Sequence, residues 1–284
     1  MAKAKAKQGD IPAEERVFYY ESFEDDPIQT KEQEATGNKV ELEDNYVFIK
    51  KNPFVKLFSA VLYRGFKVYA HHYAKSYLHL TVKNRDLLKK AKGTGYVIYA
   101  NHTNPYHDAF SPAIIADRHI YTICSPANLH VPKVGRFLPY LGAMPLGKNK
   151  EQKAKFNEAI DKRLKQKNCL IIYPEAHVWP YYTGIRPFPA GDRSFKYPVR
   201  NNLPIFTMTT TYQKAKDGGE RPDTVVYIDG PFYPDPKLSE DENRAKLAKE
   251  AYDSMVKQAK HSNCDYFKYI KKSEKSNNKK ESKK

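Results

Sequence analysis

Two short runs constrain the fold more than any other feature, Tyr96-Val97-Ile98-Tyr99-Ala100 and Cys169-Leu170-Ile171-Ile172-Tyr173. Neither alternates with charged residues, so each reads as a buried strand. Gly93 and Gly95 bound the first upstream, and Pro174-Glu175 stop the second. Between them, residues 151–167 set Phe156, Ala159, Ile160 and Leu164 on one stripe among Lys and Glu, the pattern of an amphipathic helix. Further strands are expected at 121–124, 203–212 and 225–228. Helices are expected at about 109–117 and 239–260, with a short helical connection over 134–141. Strands alternating with helices predict an α/β layered domain with a mostly parallel or mixed sheet flanked by helices.

Four parts follow along the chain: a polar arm over 1–45, a helical segment over 46–92, the α/β domain over 93–262, and a lysine-rich tail over 263–284 expected to be disordered. The net charge of +16 is uneven. Residues 1–45 hold 6 Lys/Arg against 12 Asp/Glu, a balance of −6, so the remainder carries +22. A body that basic expects a polyanionic partner, whether an anionic membrane surface, nucleic acid or phosphorylated small molecules. Three cysteines without metal-ligand spacing argue against a disulfide framework and for a reducing compartment. The charged Met1–Lys7 run predicts no secretory signal.

No window approaches the ~18 uncharged apolar residues of a membrane span. Residues 53–82 come nearest, rich in Phe, Leu, Val and Tyr but broken by Lys56, Arg64, Lys67 and Lys75. Such a segment suits a helix lying in a bilayer interface, and equally an amphipathic helix packed on the domain's own sheet. The first reading places the protein peripherally on a membrane, at the cytoplasmic face.

The first buried strand runs into Asn101-His102-Thr103-Asn104-Pro105-Tyr106-His107-Asp108. A carboxylate that holds one imidazole nitrogen protonated leaves the other free to take a hydroxyl proton, which is general-base chemistry. A single His-Asp pair is equally the signature of a loop histidine bonding its own turn. The segments downstream favour chemistry.

The order of those segments resembles the glycerolipid acyltransferase family, typified by 1-acylglycerol-3-phosphate (lysophosphatidate) acyltransferase. That family has four blocks on one α/β domain. Its Asn-His motif, followed by an aspartate five residues on, resembles Asn101, His102 and Asp108. Its glycine, hydrophobic-proline turn and basic residue are similar to Gly142-Ala143-Met144-Pro145-Leu146-Gly147-Lys148. Its strand ending in Pro-Glu resembles Tyr173-Pro174-Glu175, and its proline opening a β-rich strand is similar to Leu203-Pro204-Ile205. The resemblance covers roughly 95–230. Three departures stand out: Asp108 lies six residues from His102, so His107-Asp108 is a rival pairing; a lysine stands where the family has arginine; and Glu175 is followed by Ala176-His177-Val178-Trp179 rather than Gly-Thr-Arg-Ser.

The resemblance implies transfer of a fatty acyl group from acyl-CoA or acyl carrier protein to a lysophospholipid hydroxyl. His102 would be the base and Asp108 its orienting partner. Asn101, Lys148, Glu175 and Arg186 would bind the acceptor, with Lys148 and Arg186 clamping its phosphate. No cofactor or metal is implied, because the thioester is already activated. Plain readings stand beside these roles: Lys148 as a solvated helix start, Glu175 as a cap, and Trp179 as packing instead of an acyl-channel wall. Two rivals remain at the level of function, a catalytically impaired membrane-binding protein on the same fold and a nucleic-acid-binding protein. No nucleic acid is expected, since no helix-turn-helix, zinc or aromatic-sheet motif appears.

Overall fold

The computed structural model describes residues 15–27, 41–104 and 107–272. Its strands are β1 (Val17–Tyr20), β2 (Thr81–Lys83), β3 (Tyr96–Ala100), β4 (Ile120–Cys124), β5 (Ala143–Pro145), β6 (Cys169–Ile172), β7 (Ile205–Gln213), β8 (Asp223–Phe232) and β9 (Lys268–Lys271). The main helices are α1 (Pro53–Ser76), α2 (His107–Ile115), α3 (Lys150–Lys165), α4 (Lys196–Arg200) and α5 (Glu240–Ala259). Seven strands form one mixed sheet in the order β2-β8-β7-β3-β6-β4-β5, in which only β7 and β8 pair antiparallel. The expected α/β layering is what the chain adopts.

The uninterrupted apolar character of β3 and β6 follows from their central places. Val97, Tyr99, Leu170 and Ile172 face a core closed by Phe156, Ile160 and Leu164 of α3 and Leu247 and Ala251 of α5. Tyr96, Ile98, Cys169 and Ile171 face the opposite core, closed by Tyr63 of α1, Leu88, and Ala113 and Ile115 of α2. Parallel pairing brings the carboxyl ends of β3, β6 and β7 to one edge of the sheet, where α/β proteins place their ligands. The 101–108 loop and the 173–186 segment leave from that edge.

Asn52 caps α1 by accepting from the Phe54 and Val55 amides, and Pro53 opens the helix with its fixed φ. The helix has one face packed on the domain and an apolar face left uncovered. The first packs through Tyr63, Ala70 and Ala74, with Phe66 and Tyr73 against Phe110 of α2. The other leaves Phe54 80%, Leu57 64%, Val61 61% and Val68 73% exposed. No helix among the described residues is long and apolar enough to cross a membrane.

The ends of the described chain depart from expectation. Within the supposed arm, β1 pairs parallel with β9, which lies within the supposed tail. Phe18 stacks on Phe267 and Tyr269, and Trp179 stacks on Tyr269, so aromatic area outweighs the polar composition around it. Leu42 and Phe48 also enter the core. Residues 1–14, 28–40 and 273–284, where the remaining arm and tail expectations fall, lie outside the described residues.

Candidate active site

His102 stands two residues past β3 and is fixed at every backbone and ring position but one. Its amide N–H donates to Glu175 Oε2 at 2.9 Å, and its carbonyl accepts from the Trp179 amide at 3.0 Å. Its ring stacks on Tyr173, with centroids 4.3 Å apart. Nδ1 lies 2.6 Å from Asp108 Oδ2. A carboxylate there selects the Nδ1–H tautomer and leaves the Nε2 lone pair for a substrate proton. The ring remains about a fifth exposed while Asp108 is buried, so solvent and substrate approach from the imidazole side.

Asp108 lies in the first turn of α2, where the helix dipole favours a carboxylate. Its Oδ2 also accepts from the Asn104 amide at 3.0 Å, and its own amide donates to the Asn104 carbonyl. This turn absorbs the extra residue between histidine and aspartate. The side chain of His107, the rival partner, lies outside the described residues. Burial beside Asp108 raises the Tyr173 phenol well above its ordinary pKa, so it stays protonated and donates to the Asp108 carbonyl at 2.6 Å. Tyr173, not singled out from the sequence, thus braces both members of the pair. Its position at the end of a buried strand, immediately before Pro174-Glu175, was the available signal.

Three residues read from the sequence as substrate-binding, Asn101, Arg186 and Glu175, are buried and make their contacts within the protein. Asn101 is buried, and its carboxamide both donates to the Thr210 carbonyl and accepts from the Thr210 amide, extending the β3–β7 ladder. Arg186 is 0% exposed. Its guanidinium reaches Glu175 Oε2 at 3.3 Å, the His177 carbonyl and the Phe23 carbonyl, and lies 4.9 Å over the Trp179 ring. Residues 15–27 cover it, with Tyr20 and Phe23 against Trp179 and the Trp179 indole N–H donating to the Asp25 carbonyl. Trp179 is therefore a packing anchor.

Glu175 is equally buried, and accepts from the His102 and Arg186 amides as well as the guanidinium. Burial pushes its carboxyl up, against the opposing pull of Arg186 and the two amides, and burial likewise lowers Arg186. Each partner's charge opposes the shift that burial imposes on the other. Lys148 follows β5 at the same sheet edge as His102, but three strands away. Its Nζ pairs with Asp44 at 2.8 Å and Glu41 at 3.1 Å. Among the described residues it shares no ion pair with the His102 cluster.

Residues 79–209 match the acyltransferase family model. The order of the motifs within this stretch resembles that of the glycerolipid acyltransferases. The fold is similar to the crystal structure of the 1-acyl-sn-glycerophosphate (LPA) acyltransferase, PlsC, from Thermotoga maritima. That likeness has a TM-score of 0.53 at 15% sequence identity, covering 76% of this chain and 86% of that one. No curated protein matches the sequence.

Proposed function

We propose that this acyltransferase moves a fatty acyl group from a thioester, acyl-CoA or acyl carrier protein, to a hydroxyl of a lysophospholipid such as 1-acylglycerol-3-phosphate. The observation that carries the reading is the 2.6 Å contact between His102 Nδ1 and Asp108, which reserves Nε2 for the acceptor. Nε2 takes the hydroxyl proton as the oxygen attacks the thioester carbonyl. The tetrahedral intermediate then collapses, the carbon–sulfur bond breaks, and the imidazolium returns its proton to the departing thiolate. Asp108 stabilises the imidazolium between the two steps. The thioester is already activated, so this sequence calls on no cofactor or metal.

With Arg186 enclosed, Lys148 is the remaining candidate from the sequence for the acceptor's phosphate. Thioester release measured with acyl-CoA and lysophosphatidate tests the reaction and this role together. Lys148→Ala is expected to raise the acceptor KM about tenfold, in line with ~1.5–3 kcal/mol for a hydrogen bond to a charged group, and to leave the donor KM nearly unchanged. Normal handling of lysophosphatidate by this variant would favour a neutral acceptor. A second reading, a catalytically silent membrane-binding protein, draws on the burial of Arg186, which removes the third block's cation from solvent. Absence of thioester release from wild type with every acceptor would support it.

Peripheral membrane association belongs to the same proposal, through the uncovered face of α1. Joint replacement of Phe54, Leu57 and Val61 by Ser should lower cosedimentation with anionic vesicles more than tenfold, since each such side chain is worth ~1.5–3 kcal/mol when fully buried. Salt should weaken only the electrostatic share of the binding. Unchanged cosedimentation would move the contact to another face.

A further inference from the structure

A cavity of about 360 Å³ between the start of α1, the β4–β5 edge and the end of α3 has a chemistry of its own. Its size falls within the ~300–1,000 Å³ of small-molecule sites. Lys50, Lys56 and Arg163 line it, and no Asp or Glu does among the described residues. Elsewhere on this protein Lys148, Arg200 and Arg244 each meet a carboxylate. Here Arg163 and Lys50 meet rings instead. Arg163 lies 4.6 Å over Tyr121 and bonds only the neutral Gln166 side chain, while its Nε is buried without a hydrogen-bond partner among the described residues. The Lys50 ammonium sits 3.6 Å from the Tyr140 ring centroid. Phe48, Val55 and Met144 give the wall an apolar stretch beside polar Ser59, His119 and Gln166. His119 in the same wall is pushed down to about 4, by burial first and then by Arg163 and Lys67.

Strand register separates this cavity from the catalytic pair. Ile120, next to His119, is level with Cys169 and so with Tyr96, at the amino end of β3. His102 stands six residues beyond Tyr96, which at ~3.3 Å per residue is roughly 20 Å along the strand direction from the His119 end. Met144, level with Ile123 and so with Tyr99, lies about 10 Å short of it along the strands and three strands to the side.

We infer that this cavity binds a single-chain anionic amphiphile, its head on Arg163 and Lys50 and its acyl chain along Phe48, Val55 and Met144. The assignment is independent of acyl transfer. A carboxylate and a phosphate head share the required chemistry, so both are used as probes.

Calorimetric titration of the full chain with dodecanoate, dodecyl phosphate and dodecyltrimethylammonium tests the site. At least one anionic probe should bind, the tighter of the two naming the head, and the cationic probe should not. Arg163→Gln and Lys50→Gln should each weaken binding about tenfold, as a lost charge-assisted contact does, and His102→Ala should bind as wild type. Ala60→Trp, at an exposed position in the cavity wall, should block binding with every charge in place, and it decides the matter if the charge variants fail to fold. Undiminished binding in these wall variants, loss of binding in His102→Ala, or equal binding of the cationic probe would overturn the assignment.

Discussion

His102→Ala is expected to lower acyl transfer by ~10²–10⁴-fold, the usual share of a positioned general base. The fold should survive, because the loop is held by backbone groups the substitution keeps: the residue 102 amide to Glu175 and the carbonyl to Trp179. Asp108 loses one partner but retains the Asn104 amide, so the stability cost should stay within ~1–3 kcal/mol. His107→Ala should keep most of the activity, since the Asp108 carboxylate is engaged by the other imidazole. Thioester release and thermal melting on the two variants decide the assignment. Full activity without His102, or loss only without His107, would transfer the role of base to His107.

Sequence periodicity reached the central sheet because the physics there is local. A strand covered on both faces has no polar alternation, and β3 and β6 show none. The His102–Asp108 contact was legible for a similar reason, since its two members stand six residues apart and one turn joins them. What the sequence concealed depends on distant chain. β1 and β9 pair across some 250 residues, and each alone is a short aromatic run among charges. The burial of Arg186 is set by Phe23 and Asp25, far upstream, so an arginine after a Pro-Glu strand end could be read as solvent-facing. The third block illustrates both sides. Ala176 takes φ 65, a left-handed value at which a glycine, the residue type of the family's motif, would carry no steric cost.

Arg186→Ala should destabilise the protein by ~3–5 kcal/mol, the cost of leaving one charge of a buried pair uncompensated. In a domain of this size that is on the order of 10 °C in Tm. Glu175→Ala should cost a similar amount and, in addition, release the His102 amide, so activity should fall beyond what the loss of folded protein explains. Replacing both residues by Met separates the two effects. An apolar pair of similar volume can be neutral or stabilising where an ion pair was buried, so melting should recover toward wild type. Activity should not recover, because no acceptor then holds the His102 N–H and the imidazole loses one of its anchors. A phosphate clamp predicts a different pattern for Arg186→Ala: wild-type melting, near-normal kcat, and a raised KM confined to phosphorylated acceptors. That result would return the guanidinium to the substrate and require residues 15–27 to lift away from Trp179 during turnover.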